Sequence, residues 1–212
     1  MKKIMFNDKY HLTQAVLNGT KTMTRRIISY PSKFRGENVA GYFVCRSPSG
    51  EIVEVCLHDE DERMIDGGQI LPKYKVGEVV AIAQSYNDCG NMPDYELDED
   101  GYPIMPKRSG FFNKMFVKAD LMPHHIKITD IKVERLQDIS DEDCMKEGIY
   151  RLDSANGNGG IAYSFVGASD KKHIGLYNTP RDAFSALIGK VSGKGTWESN
   201  PYVWAYEFEL FN

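Results

Sequence analysis

Residues 202–210 read YVWAYEFEL, and the large apolar side chains Tyr202, Trp204, Tyr206, Phe208 and Leu210 fall on every second position. A period of two belongs to a β-strand, whose successive side chains point to opposite faces. A strand loaded in this way needs a sheet beside it and a core beneath it. The rest of the chain supplies candidates for that sheet. VAGYFVCR and EIVEVCLH, joined across SPSG, read as a hairpin. A turn at Gly77 precedes a strand over residues 79–84. HIKITDIKVERLQDI is longer, and its apolar phase changes between Ile128 and Ile131, the mark of a bulge near Thr129. TKTMTRRII, rich in β-branched residues, and the shorter KMFVKADLM complete the set.

Helices are few. Asp8 or a neighbour caps one over residues 9–18, with Leu12, Ala15 and Val16 on one side and Gly19 ending it. SDEDCMKEG has Ser140 as a cap, acids in the first turn and Gly148 past the end. In TPRDAFSALIGKVSG, Thr179 caps, Pro180 takes the first helical position, and Ala183, Phe184, Leu187, Ile188 and Val191 form a stripe. Two stretches rich in Gly, Pro, Asn and Asp, at about 87–110 and 151–178, read as loop insertions. The pattern predicts one α+β domain over residues 1–212: a small antiparallel β-barrel with helices packed on its ends.

The 212 residues are 42% hydrophobic and 26% charged, enough for a core without disulfides. The four cysteines, at 45, 56, 89 and 144, form no CxxC pair, so separate reduced thiols are expected and neither a zinc cage nor a disulfide framework. The start, MKKIMFNDKYH, has no apolar run of signal-peptide length, and no stretch is long enough to span a membrane, so a cytoplasmic protein without membrane contact is expected. No Gly-rich phosphate loop, HExxH or GxSxG occurs. His124 and His125 are adjacent and point apart on a strand, so no metal and no cofactor are expected.

Net charge is -4, so any attraction to phosphate must be local. The basic groups are uneven: residues 20–35 hold Lys21, Arg25, Arg26, Lys33 and Arg35 with no acid, whereas residues 94–100 hold five acids. The cationic stretch, GTKTMTRR, also carries three threonines. As an exposed edge strand it would resist aggregation. Its setting in VLNGTKTMTRR, a helix, a glycine and a G-x-K-T-x-T-x-R run, resembles the opening of ASCH domains. YKVGEVV, ITDIKVERLQDIS, DEDCMKEGI and the closing GTWESNPYVWAYEFEL resemble further blocks of that family, most closely its longer bacterial and phage members.

The resemblance implies a PUA-like barrel with a cleft for a nucleobase or a short single strand. It also implies a chemistry, since one subgroup is similar to N4-acetylcytidine amidohydrolases that use a lysine, a threonine and a glutamate. By motif position these fall on Lys21, Thr24 and Glu147. A threonine hydroxyl attacks an amide once a base takes its proton, and a neutral lysine serves. Arg25 and Arg26 would push Lys21 toward neutrality, while Glu147 would oppose them. Thr22, Arg25 and Arg26 are expected to contact the ligand or its phosphate. Trp197 and Lys194, in the loop GKGTWESNP, are expected to contact a base, whereas the alternation puts Tyr202, Trp204 and Tyr206 in the core. Two functions follow: binding of RNA or a modified nucleoside in a basic cleft, and removal of an acyl group from an N4-acylated cytosine. No sequence feature identifies a protein partner.

Overall fold

A computed structural model describes residues 1–50, 52–90, 98–102, 109–153, 160–166 and 175–211. The first half of the chain contains β1 (Lys3–Ile4), α1 (Leu12–Leu17), β2 (Met23–Ile27), β3 (Lys33–Phe34), β4 (Glu37–Asn38), β5 (Gly41–Arg46), β6 (Ile52–His58), β7 (Met64–Gln69), β8 (Val79–Ile82) and α2 (Tyr86–Cys89). The second half adds β9 (His125–Arg135), α3 (Asp141–Lys146), β10 (Tyr150–Asp153), β11 (Ile161–Ser164), α4 (Pro180–Val191), α5 (Thr196–Ser199) and β12 (Tyr202–Phe211).

The alternating strand, β12, organises a five-stranded mixed sheet of order β1-β8-β9-β12-β2. It lies antiparallel to β9 over its whole length and to β2 on its other side. The phase change near Thr129 is a bulge. Asp130 pairs with Glu207 and Ile128 with Phe208, leaving Thr129 as the extra residue. The sheet is covered on both faces, since Val203 and Ala205 are buried as fully as Tyr206 and Phe208. Against it packs α4 with Ala183, Phe184, Leu187 and Ile188. Burying a side chain such as Phe184 contributes about 2 to 3 kcal/mol.

One pair departs from the antiparallel expectation: β1 runs parallel to β8. A parallel neighbour needs a long crossover, and everything from α1 to the Gly77 turn provides it. The outer strands also approach one another, because Arg26 on β2 donates from Nη2 to the Met5 carbonyl just beyond β1, at 2.5 Å.

The β5–β6 hairpin forms as expected but gains a third strand, β7. The MIDGGQ of β7 hides its strand character behind two glycines. Residues 114–122, expected as a strand, contain two 3₁₀ turns instead, Lys114–Phe116 and Ala119–Leu121. The Asn113 side chain caps the first turn, and Val117 and Met122 are buried singly against Ala81, Ala83 and Tyr86. The helix expected over residues 9–18 splits into a 3₁₀ turn, Asp8–Tyr10, and α1, with His11 left-handed between them.

The flanks of the second expected insertion pair as the antiparallel hairpin β10–β11. Of that insertion, residues 154–159 and 167–174 lie outside the described residues, as do 91–97 and 103–108 of the first insertion. Among the described residues no helix is long and apolar enough to cross a membrane.

Candidate functional site

The cationic stretch enters the site through a turn. Gly19 is left-handed at φ 72°, and the next two amides, of Thr20 and Lys21, both donate to the Ala15 carbonyl. The Thr22 amide then donates to the Lys146 carbonyl at the end of α3, and the Thr22 carbonyl accepts from Phe208 on β12. Only at Met23 does β2 begin. This late start matters, because a strand over residues 21–24 would send Lys21 and Thr24 to opposite faces.

On the other wall, the Ser140 hydroxyl accepts from the Asp143 amide and starts α3. The helix ends at Lys146, and Glu147 follows as its C-cap. Gly148 then takes φ 100°, a conformation that favours glycine, and its Cα side faces the Lys21 stem.

Lys21, Thr24 and Glu147 line one cavity of about 150 Å³, together with Asn7, Arg25, Arg26 and the apolar walls Phe6, Phe184 and Leu187. Lys21 is 2% exposed and Glu147 5%. The Lys21 amine donates to Glu147 twice, to its carbonyl at 2.8 Å and to Oε2 at 2.5 Å. Burial pushes the Lys21 amine below the ordinary lysine range. Glu147 opposes that shift, and the nearby Arg26 and Arg25 reinforce it. Thr24 is buried too, and no hydrogen bond engages its hydroxyl among the described residues.

Arg25 is held from three sides. Its Nε donates to Glu134 at 2.7 Å, Nη2 to Asp143 at 2.8 Å and Nη1 to Glu147 at 3.2 Å. Lys132 completes the cluster, 2.8 Å from Asp143 and 3.3 Å from Glu134. Three cations, Lys21, Arg25 and Lys132, thus face three carboxylates, Glu134, Asp143 and Glu147. Burial opposes the charge on Arg25, but the carboxylates outweigh it and raise its affinity for the proton. Burial likewise raises the Asp143 carboxyl, yet Lys132 and Arg25 bring it below the usual carboxylate range. Arg25 therefore positions Glu147, and its nitrogens are spoken for.

Arg26 stands on the opposite face of β2. It is half-buried, its guanidinium lies 5.8 Å from the Phe6 ring, and it borders both the cavity and a neighbouring groove of about 330 Å³. The structure sets three other expected contacts apart. Thr22 faces a separate shallow concavity with Thr20 and Tyr150. Lys194 and Trp197 share a dent on the outer side of α4. There Trp197 packs edge-on against Phe184 with ring centres 6.1 Å apart, beneath the Arg181 guanidinium. Trp197 thus braces a cavity wall from behind.

Sequence reasoning missed Glu134, Asp143 and Lys132. The alternation of Lys132 and Glu134 along β9 places both on one face, and Asp143 sits on the first turn of α3. Only the pairing of three strands aligns Lys132, Ala205 and Arg25 in one row. Among the described residues no group of His, Cys, Asp and Glu could hold a metal ion. No family model matches the chain, and neither a curated protein nor a solved structure matches it.

Proposed function

We propose that the chain binds a nucleoside, free or within RNA, with the base in the cavity bounded by Lys21, Thr24, Arg26 and Glu147. One observation carries the reading. A small cavity combines aromatic and aliphatic wall residues with unused polar groups, the Thr24 hydroxyl and the remaining N–H groups of Arg26. A planar heterocycle needs both, apolar faces above and below and donors and acceptors at its rim. The local basic stretch in an acidic chain and the resemblance of its motif blocks to ASCH domains support the same reading. So does the bond from Arg26 to Met5 across the two outer strands, which suits a PUA-like barrel.

Titration of the purified chain with cytidine and N4-acetylcytidine, followed by calorimetry, tests the proposal. Saturable binding that Arg26→Ala weakens about tenfold is expected. Absence of binding by both nucleosides would remove the reading.

A second reading, hydrolysis of an N4-acylated cytosine, is favoured by the free Thr24 hydroxyl beside an amine that burial drives toward neutrality. In that reaction the Thr24 oxygen bonds to the acyl carbon while its proton passes to neutral Lys21. The C–N bond then breaks, Lys21 returns the proton to the departing amine, and water hydrolyses the threonyl ester. Arg26 faces the developing oxyanion. In the free protein both bonds of the Lys21 amine run to Glu147, so this chemistry requires Lys21 to turn toward Thr24 or to act through water. Loss of the acetyl group from N4-acetylcytidine, with a rate that rises below the ordinary lysine pKa and vanishes in Thr24→Ala, is the expected result. No turnover at any pH would leave binding alone.

A further inference from the structure

The cavity has a neighbour that the base itself would not fill. On the far side of Arg26 lies the groove of about 330 Å³, bordered by Lys3, Arg26, Leu71, Lys73, Tyr74 and Trp204. Arg26 and Ile27 belong to the linings of both spaces, so the two are separated by little more than one flexible side chain. No carboxylate lines the groove, whereas Glu147 lines the cavity.

The groove's walls are of a particular kind. Trp204 stands directly opposite Arg26 across the β12–β2 pair and is only half-buried, so part of its ring faces solvent. Tyr74 and Tyr206 are core residues, with ring centres 5.3 Å apart, and the Tyr206 hydroxyl is fixed by the Lys73 amide at 3.0 Å. The Lys73 side chain is exposed, its amine 5.4 Å from the Tyr74 ring centre. Lys3 is tied to the carbonyls of Met115 and Val117, so Lys73 and the unbonded face of Arg26 are the groove's available cations.

The same face of β12 continues outward to Tyr202. Arg135 lies 3.9 Å over the Tyr202 ring, and Tyr42 and then Tyr30 follow at ring separations of 6.5 and 5.7 Å. Aromatic faces interleaved with cations, along a groove whose lining holds no carboxylate, are what a single strand requires: bases stack without sequence demand, and cations meet the backbone. We propose that this groove is a second nucleotide subsite, so that the ligand is a single-stranded polynucleotide. Resting on the reading that one base occupies the cavity, the inference assigns the adjoining base to Trp204, the connecting phosphate to Arg26 and the next to Lys73. A free nucleoside then fills only half of the site.

Competition binding at low salt distinguishes the parts. The probes are cytidine and a fluorescein-labelled single-stranded RNA of six cytidines, with a duplex of the same length as control. The hexamer is expected to bind at least tenfold more tightly than cytidine and the duplex no better than cytidine. Trp204→Leu keeps apolar bulk but removes the stacking face, and it should weaken the hexamer roughly tenfold while changing cytidine less than twofold. Lys73→Ala, on an exposed side chain whose amine touches the fold at the Tyr74 ring, should lower the slope of log affinity against log salt by about 0.7. A hexamer that binds no more tightly than cytidine, or that ignores both substitutions, overturns the second subsite and leaves the nucleoside reading standing. Failure of both probes to bind overturns both.

Discussion

Arg25 and Arg26 are neighbours in the chain and opposites in the fold. Arg25 points into a buried cluster where three carboxylates take its nitrogens, and Arg26 points to the seam between cavity and groove, with one bond to a carbonyl. The alternation of a strand separates them, and what each meets on its own face decides its role. A run of cations in a sequence therefore gives no count of the cations available to a ligand. Here the basic stretch divides into Lys21 and Arg25, which carboxylates engage, and Arg26, which among the described residues no carboxylate engages.

That division is open to direct attack. The largest expected effect belongs to Arg25→Leu, which leaves Glu134, Asp143 and Glu147 short of a partner and should lower stability by about 3 to 5 kcal/mol in urea unfolding. Glu147→Gln strands the buried Lys21 charge and should lose about 3 kcal/mol. Lys21→Met combined with Glu147→Gln should lose less than the sum of the two single changes, since the pair leaves together. Arg26→Ala, in contrast, should change stability by less than about 1 kcal/mol while weakening nucleoside binding about tenfold. If Arg26→Ala unfolds the chain or Arg25→Leu leaves it as stable as before, the two arginines have been assigned the wrong way round.

Acid sharpens the same contrast. The Asp143 carboxyl sits below its unfolded value, so its contribution to stability is complete above the ordinary carboxylate range and is lost as pH falls through the folded value. Unfolding free energies between neutral pH and the acid limb should fall less steeply in Asp143→Asn than in the unaltered chain. The smallest effect is expected at Lys194. Exposed and outside the cavity lining, Lys194→Ala should alter stability by no more than about 0.5 kcal/mol and leave nucleoside binding as it was.

Much of this arrangement is legible in the sequence. The caps at Ser140 and Thr179, the Pro180 start of α4, the bulge at Thr129 and the alternation of β12 are local signals, and each forms where it was read. The convergence of Lys21, Thr24 and Glu147 was expected only from resemblance, and their placement depends on the turn at Gly19. The burial of Arg25 was not legible, because its partners lie more than a hundred residues away on β9 and α3. Trp204 and Trp197 end up alike, both half-buried against the same core, although their sequence settings differ. Alternation assigns a face to Trp204, but the groove beside β2 leaves that face half open; a loop position implies exposure for Trp197, but Phe184 claims its ring. The parallel β1–β8 pair likewise joins segments far apart in the chain, which no local period announces.

Threonine methyl NMR of the chain during a nucleoside titration reaches the cavity most directly. Thr24 lines it, whereas Thr22 faces another concavity and serves as an internal reference. A saturable shift of the Thr24 methyl, with Thr22 unmoved, is the result that binding of the base beside Lys21 and Glu147 predicts. A Thr24 signal that stays in place while the nucleoside saturates the chain elsewhere would contradict it.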